Sequence, residues 1–158
     1  MAPYDKLQHL FMATRAMTLG CCDNGSPWTA PVYFVRHQKN FYFFSNETSR
    51  HIQWSTEKKA AASIFQDSAQ MEDIFGLQME GLIRQVKASV EWAQALSAYG
   101  DKFSFLKKQF GARLLMDPSF FKSQFNARLF CFSPQRIWLS DLGASGKGRR
   151  EIFPKDLP

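Results

Sequence analysis

Between residues 16 and 87, short β-prone apolar runs recur, each stopped by turn-forming residues, and this rhythm leaves few folds open. AMTLGCC and WTAPVYFV flank DNGSP, whose Asp-Asn-Gly-Ser-Pro chemistry reads as a hairpin turn. RHQK and Asn40 separate the second run from FYFF, which has the aromatic content of a buried strand. Three consecutive antiparallel strands make a meander. AAASIFQ and the longer DIFGLQMEGLIRQVK bring the count to five, with Gly76 and Gly81 as bulges or points of close backbone approach.

Helical spacing appears on either side of this block. Leu7, Leu10 and Phe11 behind Pro3 predict an opening helix of two or three turns that covers one end of the strands. Trp92, Leu96 and Tyr99, then Phe103, Leu106 and Phe110, predict two helices interrupted at Gly100 and Gly111. ARLFCFSPQRIWLSDL adds two apolar runs around Ser133 and Pro134, and SGKGRREIFPKDLP reads as a polar, basic tail. There is no internal repeat and no linker. The 158 residues fit one domain, an antiparallel barrel with peripheral helices rather than a doubly wound parallel sheet.

The 16 Phe residues exceed what a small monomer readily covers, which points to a partner subunit or a planar ligand. Net charge is +6, concentrated late: residues 1–80 carry 7 Lys/Arg against 8 Asp/Glu, residues 81–158 carry 13 against 6. That bias suits a phosphorylated small molecule, an anionic lipid or a nucleic acid, and charge alone does not choose. The three cysteines, Cys21, Cys22 and Cys131, are odd in number and predict a reduced, cytoplasmic protein. MAPYDKLQHLF lacks the apolar centre of a secretory signal, and no run reaches membrane-spanning length. His9, His37 and His51 have no ligand spacing with each other or the cysteines, so no metal site is expected. G-x-S-x-G and P-loop signatures are absent.

FFSNETSRH, residues 43–51, carries the most chemistry. A buried aromatic strand empties into hydroxyls, an Arg and a His at a helix start, with Asn46 or Thr48 as the cap. Hydroxyls, free backbone N–H groups and a guanidinium fork are the parts of a phosphate site. The same residues also read as a capped surface helix with an exposed Arg.

This segment, the AAASIFQ strand after it and the GxQxxGxI strand beyond resemble the pyridoxamine 5'-phosphate oxidase-like, FMN-binding split β-barrels, best over residues 12–86. In that family the corresponding segment reads Phe-Thr-Asn, a spacer, then Ser-Arg-Lys, whose Arg and Lys contact the FMN phosphate. Ser49, Arg50 and His51 stand there in this chain, and His in place of Lys lessens the fixed charge. A bacterial branch of the family is similar in having Arg-His there, and in GLQMEGLIR and the Gly-Lys-rich tail. The resemblance implies that TAPVYF lines the isoalloxazine through Thr29, Val32, Tyr33 and Phe34, with Phe44 and Ser45 beside the ribityl phosphate. The Arg and Lys that the substrate oxidase carries on this strand are missing. By the same likeness Gln78 faces the flavin ring edge, and Trp138, Lys147 and Arg149 approach the cofactor, the last two reading equally as a solvated tail.

The function implied is that of a homodimeric FMN oxidoreductase with sites at the interface, acting on a small molecule and closer to a flavin reductase than to a true pyridoxamine-phosphate oxidase. No side chain is assigned as acid or base. Two other readings stay open: a non-catalytic flavin or haem carrier of the same fold, with His51 as an iron ligand, and a basic nucleic-acid-binding barrel using FSFLKKQF and RIWL, disfavoured for want of a binding motif.

Overall fold

A computed structural model describes residues 3–112, 117–143 and 148–158. Helix α1 (Pro3–Ala13) leads into β1 (Ala16–Asp23), β2 (Ser26–His37) and β3 (Asn40–Ser45). One helical turn, α2 (Arg50–Gln53), precedes β4 (Lys59–Gln66) and β5 (Phe75–Gln85). Helices α3 (Ser89–Lys102), α4 (Ser104–Phe110) and α5 (Pro118–Phe125) follow, then β6 (Arg128–Asp141) and β7 (Arg149–Ile152). The strand order is β3-β2-β1-β4-β5-β6-β7, every ladder is antiparallel, and β3 also pairs with β6. Six strands therefore close on themselves, as the expected split barrel with peripheral helices requires, and β7 extends the wall beyond β6.

Local chemistry explains the joints. Asn24 and Gly25 both take left-handed φ values, 47° and 79°, the pattern of a two-residue hairpin turn matched to strand twist. The two apolar runs expected around Ser133 and Pro134 are one continuous strand. Its residues 128–132 pair with β3 and 137–140 with β7, so β6 changes partners at Pro134, which has no N–H to give a ladder. The register with β5 slips here: Glu80 faces Arg136 but Gly81 faces Pro134, leaving Gln135 as the bulged residue. A Cβ on Gly81 would lie 2.3 Å from the Ser133 carbonyl oxygen, so only glycine fits.

Two cores lie on opposite sides of the wall. Inside, Phe34, Phe41, Phe43 and Phe132 are fully buried, and α1 plugs one end with Leu7, Leu10 and Phe11. Outside, the alternate residues of β3 and β6, namely Tyr42, Leu129 and Cys131, pack under Leu96, Tyr99, Phe103, Phe120 and Phe121 of the helical layer. The Tyr99 hydroxyl donates to the Tyr33 carbonyl at 2.7 Å and lies 3.3 Å from that of Tyr42. Tyr42 in turn donates to Glu91 at 2.9 Å, which also pairs with Arg84. These two cores take up most of the phenylalanines, while Phe65, Phe105, Phe125 and Phe153 stay exposed.

Other expectations are corrected. Gly100 does not interrupt α3: it is buried within it, and the break falls at Phe103. Helix α5 was not anticipated, though Asp117 accepts the Ser119 N–H as its N-cap with Pro118 in the first turn. The basic tail contributes a strand, β7, because β6 offers it a free edge. β2 runs on through Arg36 and His37, both taken as loop, and turns only at Gln38 and Lys39. Among the described residues no helix is long and apolar enough to cross a membrane.

Candidate functional site

Helix α2 lies against β1 and β2 at the end of the barrel where their hairpin turns. Ser45 ends β3 just beside it. Its buried hydroxyl lies 3.1 Å from the Ser49 hydroxyl and 2.7 Å from His51 Nε2, and Ser49 donates to the Asn46 carbonyl. Each hydroxyl has one hydrogen, so all three contacts hold together when His51 Nε2–H donates to Ser45, Ser45 to Ser49, and Ser49 to Asn46. Burial lowers the His51 pKa below its usual 6.5, so the imidazole is neutral at pH 7. His51 therefore adds no fixed charge here.

Ser49 is the N-cap of α2, not Asn46 or Thr48, and its side chain makes no cap bond. Asn46 Oδ1 instead accepts both the N–H and the hydroxyl of Thr48, each at 2.8 Å, closing a local turn. The N–H groups of Arg50 and His51 open the helix and have no intrahelical acceptor. The Arg50 guanidinium sits 4.2 Å from the Trp28 ring centroid and 5.2 Å from that of Trp54, and no carboxylate among the described residues pairs with it. Two indoles thus fix a cation whose hydrogen-bonding edge stays available. Sequence reasoning missed both tryptophans. Trp54 follows Arg50 by four residues, a spacing that could have revealed it; Trp28 arrives only through the hairpin.

The β2 residues divide by strand parity. Val32 and Phe34 point into the barrel at 8% and 0% exposure, so their side chains cannot line a ligand outside it. Thr29, Pro31 and Tyr33 point outward. The ladder register sets Pro31, Thr18, Ser63, Gln78 and Trp138 in one row across β2, β1, β4, β5 and β6, with Thr29, Gly20 and Ala61 in the next. None of these side chains is charged. Counted along this row, Gln78 is three strands and Trp138 four strands from β2, each facing outward from its own part of the curved wall. A single copy therefore does not bring Gln78 or Trp138 to a ring held at Thr29.

The remaining expected residues are dispersed. Phe44 stacks on Phe121 with centroids 3.8 Å apart, under the helical layer. Arg136 lies over Trp138 at 4.7 Å. Arg149 is exposed on β7 opposite Ser140, and Lys147 lies outside the described residues. No cluster of three or more His, Cys, Asp or Glu suited to a metal occurs among the described residues.

Residues 4–141 match the family described as pyridoxamine 5'-phosphate oxidase. Among solved structures, a haem binding protein from Mycobacterium smegmatis superposes with a TM-score of 0.69 at 15% identity, over 99% of this chain and 60% of that one. The chain thus spans about three-fifths of that relative's length. A FAD-binding protein from Mesorhizobium loti gives 0.62 at 14% identity over 96% of both chains. The haem storage protein HutZ from Vibrio cholerae gives 0.61 at 17%, over 85% of this chain and 91% of its own. At such identities the likeness is one of fold. No curated protein matches the sequence.

Proposed function

This chain belongs to the pyridoxamine 5'-phosphate oxidase family, and on that premise we propose that it is a homodimeric FMN-binding oxidoreductase acting on a small molecule. The observation that carries the reading is Arg50, a guanidinium held between Trp28 and Trp54 yet free of any described carboxylate. Arg50 and His51 add two helix-start N–H groups with no intrahelical acceptor, and the neighbouring Ser45 and Ser49 hydroxyls, engaged with each other and with Asn46, would turn to a ligand only by giving up those bonds. That donor set, with one fixed positive charge, fits a phosphate monoester. Thr29, Pro31 and Tyr33, outside β2, offer an uncharged surface for a planar ring.

Gln78 and Trp138 join such a site only from a second copy, given their distance along the wall. The small, uncharged side chains of this face support a close dimer contact there. When bound, the flavin supplies hydride or electron transfer. The chain's own work is to anchor phosphate through Arg50, orient the ring against β2 and exclude water through the partner's wall.

A haem reading would recruit His51, whose Nε2 is committed to Ser45 at 2.7 Å. A nucleic-acid reading would need a free basic stripe, whereas Arg84, Lys107 and Arg136 of the basic half sit in ion pairs with Glu91, Asp101 and Glu151. An FMN titration followed by absorbance tests the proposal. Arg50→Ala should weaken binding by about 2–3 kcal/mol, roughly 30- to 150-fold. Unchanged affinity would remove Arg50 from the site, and a Soret band with no flavin uptake would replace flavin by haem.

A further inference from the structure

Apart from the α2 cluster, a cavity of about 420 Å³ opens between the outer side of β3 and β6 and the helices α3 and α5. Phe44, Trp92 and Phe121 give it aromatic walls, while Lys87, Ser89 and Arg128 supply polar groups. No carboxylate is among its lining residues as described. The volume falls within the range of about 300–1,000 Å³ typical of small-molecule sites. Arg128 adds an independent observation: its Nη1 is buried with no hydrogen-bond partner among the described residues. The nearest carboxylate, Glu47, is half exposed and stands 3.6 Å from Nη2, beyond hydrogen-bond length. The Arg128 side chain is 22% exposed and only loosely paired with Glu47, so its guanidinium can still donate to an anion held in the cavity.

We infer that this cavity binds a flat aromatic anion of the carboxylate type, its ring against Phe44, Trp92 and Phe121 and its acid on Arg128 with Lys87 nearby. The ligand is distinct from the flavin, since Arg50, Trp28 and Ser49 do not line this space. Across the Phe44–Phe121 stack lies a second cavity of about 170 Å³, lined by Tyr33, Tyr99, Phe103 and other uncharged residues. A neutral ring would choose that one, and an acid would not.

The test is a fluorescence titration of the full chain with 2-naphthoate and with neutral 2-naphthamide, each with and without saturating FMN. Naphthoate should bind at least tenfold more tightly than the amide, and Arg128→Gln should bring the two within threefold while FMN uptake, read by absorbance, stays unchanged. Lys87→Gln, at an exposed position, should cost naphthoate about threefold and serves if the Arg128 variant does not fold. Equal binding of acid and amide overturns the inference in favour of the uncharged cavity. Failure of both to bind, or full displacement of naphthoate by FMN, overturns it as well. A protein that ignores FMN but keeps the acid preference would sink the flavin reading and leave this one standing.

Discussion

The barrel wall has two outer faces, and the chain treats them differently. Over β3 and β6 the outward residues are large and apolar, Tyr42, Phe44, Leu129 and Cys131, and the helices between β5 and β6 cover them. Over β1, β2 and β4 many are small or polar, Thr18, Gly20, Thr29, Pro31, Ala61 and Ser63, and stay exposed or half-buried, whereas Tyr33 and Val35 at the far end of β2 meet the helical layer. Strand parity is the same on both sides, so the difference lies in side-chain size. Large knobs need a helical layer with grooves to receive them; small ones let another sheet approach closely. The first face is closed within one chain, and we propose that the second is closed by another copy.

The sharpest break in this comparison comes from the covered face. Phe121→Ala removes the ring stacked on Phe44 and should cost about 3–5 kcal/mol in urea unfolding. A loss below about 1 kcal/mol would mean that the helices rest on the barrel without stabilising it. On the bare face, Thr18→Arg puts a charge between Pro31 and Ser63 at an exposed position. Stability should stay within about 0.5 kcal/mol, while dimer affinity, read by sedimentation, should fall about a hundredfold, near 2.7 kcal/mol. A dimer indifferent to this arginine would have to be built elsewhere.

How legible each face was follows from the same physics. The meander was readable because Asn24-Gly25 fixes a turn and the flanking runs are β-prone. Gly81 was readable as a close approach, though not that it faces the point where β6 changes partners. Four residues, RREI, are too few to show alternation, so β7 exists only because an edge was open. In the site, Ser45, Ser49 and His51 lie within seven residues and hydrogen-bond to one another, whereas Trp28 reaches Arg50 only through the folded hairpin. Val32 and Phe34 were assigned to a ligand by likeness although their even parity, shared with Ala30, already marked them as core.

Smaller effects probe the seam between the two regions. Tyr99→Phe leaves the Tyr33 carbonyl without its 2.7 Å donor and should cost about 1–2 kcal/mol by urea unfolding. No change would show that α3 is held by its rings alone.

Lys102, the last residue of α3, gives the smallest effect and the most specific one. Its Nζ lies 3.6 Å from the centroid of Phe34 in the barrel core, buried and without a hydrogen-bond partner among the described residues. Burial pulls its pKa from 10.5 to about 7. Between those values the unfolded chain binds more protons than the native one, so stability should rise with pH across this window and level off above it. The ring face offsets part of the cost of burying the charge, and the stem is partly exposed, so the rise should stay under about 1 kcal/mol. Lys102→Met should remove it, with the variant more stable than the parent near pH 7 and the two curves meeting above pH 10.5. Urea midpoints at several pH values read this directly. Parallel curves would mean that water reaches the amine, and hence that the covered face is not sealed where α3 ends.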